Sequence, residues 1–163
     1  MTHHQFYFII KIFRYILFSS SLAIHPYALG TVTQVDKLSF GNIVVLDNST
    51  ISEITVSTQG KVTYTNDIRI IDLGHPAYFV LSEFTTYTQL FTVASVLTAE
   101  SVSSYSGSQQ FTLTNLTTAS SVTTNATGIA EVIIGGTLQS SGSGTNMYYD
   151  DTYISTLQLI ISY

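Results

Sequence analysis

The chain contains no cysteine and only two prolines, and these absences narrow the kinds of protein it can be. Without cysteine there is neither a disulfide framework nor thiolate chemistry, so the stability of the chain depends on core burial alone. Its 163 residues lie within the usual size of one domain. Because no linker-like stretch divides the chain, we predict a single domain.

Basic residues are also scarce, and two of the five lie near the N-terminus. Lys11 and Arg14 precede a largely apolar run at 15–24. Ala28-Leu29-Gly30 then places small residues at both positions that a signal peptidase inspects. This order predicts a cleavable secretory signal rather than a spanning helix, which would need about 20 uninterrupted apolar residues.

The predicted signal peptide helix covers residues 1–30, and its cleavage end lies between 23 and 30 because Ala23 and Ala28 are alternative ends. The remaining chain, 31–163, is predicted to be the mature domain. We expect it to be secreted to the periplasm, the cell surface or the extracellular medium, with no stable membrane span after cleavage.

The mature chain keeps three basic residues, Lys37, Lys61 and Arg69, against ten carboxylates, a formal net charge of −7. Such a surface repels nucleic acid, and three cations cannot form a basic groove. An anionic membrane surface does not attract it either. The charge balance therefore excludes nucleic acid as a partner.

What the chain does contain is β-prone. Ser, Thr, Val, Ile, Tyr and Phe dominate, while helix formers are scarce and no segment shows a sustained helical period. Apolar residues instead alternate with a period of two, which places the members of each pair on one sheet face. The pairs are Ile54 and Val56, Val62 and Tyr64, Phe79 and Leu81, Phe91 and Val93, and Phe111 and Leu113. Turn-forming residues separate these runs, a pattern that predicts an all-β sandwich.

The last strand has the clearest alternation. One side is polar at Thr156, Gln158 and Ser162, although Ile154 and Ile160 interrupt it. The other side is predicted to face the core. Its residues are Tyr153, Leu157, Leu159, Ile161 and Tyr163.

The preceding strand is predicted at 129–138, where Gly135-Gly136 indicates a bulge or a close backbone approach. A Ser- and Gly-rich tract, 140–146, connects the two strands.

Three segments carry a family resemblance: LSFGNIV at 38–44, IGGTLQ at 134–139 and DTYISTLQLIISY at 151–163. In these motifs and their order, the chain resembles a family of short exported bacterial proteins known only as a domain of unknown function. The resemblance implies an immunoglobulin-like antiparallel β-sandwich. It also implies a final strand similar to that of spore-coat-U type and other fimbrial subunits.

The sequence contains few residues that could support catalysis. His75 is the only histidine of the mature chain and lies three residues after Asp72, but no G-x-S-x-G elbow supplies a nucleophile, so a turn residue before Pro76 is the better interpretation. One histidine without cysteine does not make a zinc site. We therefore predict a protein that is not an enzyme and has no cofactor.

The loop before the last strand is the candidate ligand or partner surface, because aromatic rings beside carboxylates can hold sugars or a protein partner. Its residues are Asn146, Tyr148, Tyr149, Asp150 and Asp151. Calcium at 146–151 is a further possibility, although the EF-hand spacing is missing. The simpler alternatives are a solvated acidic loop end and tyrosines that pack at a sandwich edge.

Two functions remain open. The first is a structural or adhesive envelope subunit, fimbria-like, pilus-like or coat-like, that pairs strands with itself or with other envelope or pilus subunits, with 31–38 as the donated segment. The alternative is a periplasmic or extracellular module that binds glycans or a protein.

Overall fold

A computed structural model describes residues 30–105, 107–144 and 147–163, and within these ranges the chain forms eleven strands and no helix. The all-β prediction is confirmed. The predicted signal peptide lies outside the described residues, apart from Gly30. The strands are β1 (Thr31–Asp36), β2 (Ser39–Val45), β3 (Glu53–Val56), β4 (Val62–Tyr64), β5 (Ile68–His75), β6 (Ala77–Ser82), β7 (Gln89–Val102), β8 (Thr112–Thr117), β9 (Ser121–Thr123), β10 (Ala130–Gln139) and β11 (Ile154–Ser162).

Every strand pair is antiparallel. The main sheet runs in the order β1-β6-β10-β8-β7-β11, with β3 attached to β10, β4 to β3 and β9 to β7. Strands β2 and β5 form a separate two-stranded sheet. Strands that are neighbours in the sheet are therefore mostly distant in the chain. Strand β10 is central, because its first half pairs with β6 and its second half lies between β3 and β8.

The larger part of the core lies between β6 and β10 on one side and β7 and β11 on the other. Alternate residues of β6 and β10 are buried there, including Phe79, Leu81 and Ile134. Half-buried side chains from β7 and β11, such as Ala94 and Leu159, pack against them. The period-two pattern of the sequence thus produces two facing layers with a dry interior.

A second cluster lies toward the other end of β10. It is built on Ile54, Ile68, Phe111, Leu113 and Leu138, all buried. Half-buried residues of the two-stranded sheet, among them Phe40 and Ile70, cover it. Tyr148 and Tyr153 pack against the same cluster, so the loop before β11 contributes to the core.

Two glycines allow backbones to approach closely. Gly41 in the LSFGNIV segment has φ +81°, and a Cβ at that position would lie 2.0 Å from the carbonyl oxygen of Asp72 in β5. A Cβ on Gly135 would lie 2.4 Å from the carbonyl oxygen of Val56 in β3. The close approach predicted for Gly135 is confirmed, and both positions require glycine on steric grounds.

The two faces of β7 differ in exposure, and the buried face is not the one that carries Phe91 and Val93. Phe91 and Val93 share a face, as the alternation predicts, but that face is outward: they are 53% and 56% exposed. The inward face carries Leu90 at 0% and Thr92 at 3%. The hydroxyl of Thr92 donates a hydrogen bond to the carbonyl oxygen of Ala119, so this buried hydroxyl has a partner.

Candidate functional site

The loop after β7 and the loop before β11 meet at one end of the molecule, and aromatic rings join them. Tyr148 stacks on Phe111, with ring centroids 4.0 Å apart and planes 23° apart. Tyr153 meets the same phenylalanine edge-on at 5.0 Å. Phe111 is therefore covered by two residues of the later loop.

Tyr148 belongs to the predicted ligand surface, and its hydroxyl both accepts and donates a hydrogen bond. The backbone N–H of Ser141 donates to the hydroxyl oxygen at 2.8 Å, and the hydroxyl donates to the carbonyl oxygen of Gln110 at 3.2 Å. Loss of hydration on burial raises the pKa of Tyr148 above its ordinary value. With its ring stacked and its hydroxyl bonded, Tyr148 closes the core.

Asp151, another predicted residue, organises the loop after β7. Its Oδ2 accepts hydrogen bonds from the Ser104 N–H at 2.6 Å, the Ser104 hydroxyl at 2.7 Å and the Tyr105 N–H at 3.3 Å. The hydrogen bond from the Ser104 side chain is the main cause that lowers the pKa of Asp151, with backbone donors adding to it. The carboxylate thus stays ionised and ties the two loops together.

Tyr149 lies at the surface and has a partner that the sequence analysis missed. Its ring stacks with that of Tyr105 at a centroid distance of 5.5 Å and an interplanar angle of 22°. Tyr105 is 56% and Tyr149 51% exposed. The only sequence signal for Tyr105 is a lone aromatic residue in a serine-rich turn. Asp150 is exposed beside this pair, and Asn146 lies outside the described residues.

Four of the five residues predicted to face the core from the last strand lie where the alternation predicts, and Tyr163 is the exception. Leu157, Leu159 and Ile161 are half-buried against the larger core cluster. Tyr153 donates its hydroxyl to the carbonyl oxygen of Tyr149 at 2.9 Å. Tyr163 packs edge-on against Phe84 at 5.4 Å, although it is 70% exposed.

His75 lies at the end of β5 and has no catalytic partner among the described residues. Its Nδ1 is 3.2 Å from the carbonyl oxygen of Pro76. Asp72, the acid suggested by the spacing, instead accepts a 2.6 Å hydrogen bond from Asn42. A shallow depression of about 310 Å³ beside His75 is lined by Asp36, Pro76, Tyr78 and Ile133. Within the described ranges, no group of three or more histidine, cysteine, aspartate or glutamate residues could hold a metal ion.

No protein-family model, curated protein or solved structure matches this chain. The resemblance to the exported bacterial family therefore stays a prediction. Among the described residues there is no helix with the length and apolar character of a membrane span.

Proposed function

We propose that this protein is a non-enzymatic, exported bacterial envelope or surface subunit, fimbria-like, pilus-like or coat-like, that assembles through β-strand pairing. The observation that carries the proposal is the open edge of β11. Among the described residues, β11 pairs only with β7, so its other edge offers a row of free backbone groups.

Most of this edge, from Leu157 to Ser162, has none of the features that normally prevent edge pairing. Strand β11 spans nine residues and contains no charged residue and no proline. Its register irregularities lie only at its start, between Ile154 and Leu157. Native sheets protect such edges with lysines, prolines or bulges along the strand, and their absence here favours a partner strand.

The outward face beside this edge is also apolar. Ile160 lies directly opposite Val93 of β7, and both are exposed. Phe91 and Leu97 extend the same exposed strip along β7. Since the 31–163 chain carries a net charge of −7, an uncharged strip is where two copies can meet with the least repulsion.

The strand is self-complementary in an antiparallel arrangement. If two β11 edges pair about Leu157, Ile154 of one copy lies opposite Ile160 of the other, and Thr156 lies opposite Gln158. Both pairs lie on the outward face because each combines residues of one parity. Two sheets would then continue as one across a twofold axis.

The segment 31–38, the predicted donor, pairs through β1 with β6 of its own chain, and all six residues of β1 are exposed. We therefore assign the assembling edge to β11 rather than to this segment. We also propose that the domain is an immunoglobulin-like sandwich, which the two facing antiparallel layers and the long connections between neighbouring strands support.

The experiment is sedimentation analysis of the protein purified from an exporting host, over a wide range of concentrations. N-terminal sequencing is expected to find a mature start between residues 24 and 31. The wild-type protein is expected to self-associate, and Gln158→Lys and Ile160→Lys are each expected to weaken association at least tenfold by placing a charge at the edge.

Ile71→Lys is the matched control, because Ile71 is an exposed apolar residue on β5, 67% exposed against 46% for Ile160, and lies away from the β11 edge. A wild-type protein that stays monomeric at every concentration contradicts the proposal. Association that the two β11 variants leave unchanged contradicts the assigned edge.

A further inference from the structure

The stacked pair of Tyr105 and Tyr149, which we call the tyrosine shelf, is an exposed feature that strand assembly does not use. Two large aromatic rings more than half exposed and in offset contact leave apolar surface in water that folding normally removes. No described residue hydrogen-bonds either hydroxyl, so both polar ends are also available to a ligand.

Hydrogen bonds hold the backbone segments that carry both shelf tyrosines. Asp151 accepts hydrogen bonds from the backbone N–H groups of Ser104 and Tyr105 and from the Ser104 hydroxyl. Tyr149 is held through its carbonyl oxygen by the Tyr153 hydroxyl, and its N–H donates to the Ser108 hydroxyl at 3.4 Å. A surface ordered before binding loses less conformational entropy when a ligand arrives.

A shallow, open cleft of about 540 Å³ lies between the C-terminal end of β7 and the start of β11, and its lining includes the chain neighbours Ser104 and Asp151 of the shelf but not the two tyrosines themselves. Ser104 and Asp151 line this cleft and also hold Tyr105. Val102 and Ile154 add apolar surface, and Thr98 and Thr156 add hydroxyls.

This combination fits a sugar ring. A pyranose has a face of C–H bonds that packs on an aromatic ring, and a rim of hydroxyls that bonds to carboxylates and side-chain hydroxyls. The negative charge beside the shelf also discriminates between neutral and acidic sugars. Asp150 and Asp151 lie beside the shelf, and the three basic residues of the domain, Lys37, Lys61 and Arg69, lie on other segments. Acidic sugars would be repelled.

We propose that the tyrosine shelf and the adjoining cleft bind neutral glycans, with Tyr105 and Tyr149 as the stacking residues and with Ser104 and Asp151 contacting the sugar hydroxyls. The stacking tyrosines lie outside the β11 edge, since neither belongs to a strand, but Ile154 and Thr156 of β11 also line the cleft. The shelf variants therefore separate the two activities, because Tyr149→Ala is expected to lose glycan binding and to assemble like the wild-type protein.

The test is calorimetric titration of the purified protein with neutral oligosaccharides, namely cellohexaose, maltohexaose, mannohexaose and chitohexaose, and with acidic oligogalacturonate. We expect at least one neutral probe to bind with a Kd below 1 mM, and oligogalacturonate to bind at least tenfold more weakly. Tyr105→Ala and Tyr149→Ala are each expected to lower the affinity about tenfold.

Tyr87→Ala is the matched control. Tyr87 is an exposed loop tyrosine just before β7, whereas Tyr105 follows the other end of this 14-residue strand, roughly 45 Å away. Unchanged thermal midpoints in the three variants establish that the fold is intact. The proposal is overturned if no neutral probe binds at 10 mM, if acidic probes bind equally well, or if the shelf variants bind like the control.

Discussion

Strands β10 and β11 carry a similar alternation of apolar side chains, yet the apolar side chains of β10 are more deeply buried. Alternate residues of β10, such as Val132 and Ile134, are fully buried, whereas Leu157 and Leu159 of β11 remain half-exposed. The difference follows from their neighbours. Strand β10 lies inside the main sheet, between β6 and β8 in the strand order, whereas β11 lies at its end and pairs only with β7 among the described residues. Burial therefore depends on position in the sheet, and the alternation specifies only the face.

The largest expected effect is a difference in stability between core positions of the two strands. Ile134→Ala is expected to lower the free energy of unfolding by about 3 kcal/mol, because it leaves a cavity in a closed part of the core. Leu159→Ala is expected to cost about 1 kcal/mol, since its side chain is half-exposed already. Urea denaturation with comparable m-values measures both. Equal losses would contradict the comparison.

A second prediction concerns the two faces of β7, the partner of β11. Leu90→Ala is expected to cost about 3 kcal/mol, and Phe91→Ala below about 1 kcal/mol, although phenylalanine is the larger residue. The same denaturation experiment, at protein concentrations too low for association, measures the difference. If the phenylalanine variant is the less stable one, β7 presents its other face to the core.

The smallest expected effect concerns Asp151 at the start of β11. Its pKa is lowered by hydrogen bonds that exist only in the folded protein, so its contribution to stability is present above the unfolded pKa and is lost as pH falls through the folded pKa. An NMR titration of its carboxyl carbon is expected to give a midpoint below the ordinary value of 3.8.

Asp151→Asn serves as the companion variant for this titration. It is expected to be slightly less stable than wild type at pH 7, and the difference is expected to vanish below the folded pKa. A midpoint at or above 3.8 would mean that the carboxylate does not hold Ser104 and Tyr105 in solution.

The sequence determined the all-β character of this protein, because the period-two alternation favours strands and the scarcity of helix formers disfavours helices. It also determined the core-facing residues of β11 and the need for glycine at 135. These features depend on local covalent geometry and on neighbours along the chain.

Only the tertiary structure decided which face of β7 is buried. One parity carries Leu90, Ala94 and Val96, and the other carries Phe91, Val93 and Leu97, so both are apolar enough to form a core. The choice depends on the register with β9 and β11, which pair with β7 from distant parts of the chain.

The tyrosine shelf was likewise decided by tertiary structure. Tyr105 and Tyr149 lie 44 positions apart, and contacts such as those of Asp151 with Ser104 and of Tyr148 with Phe111 join their loops. The sequence pattern indicates Tyr149 and Asp151 but not their partners, because contacts between loops arise only when the strands that carry them have paired.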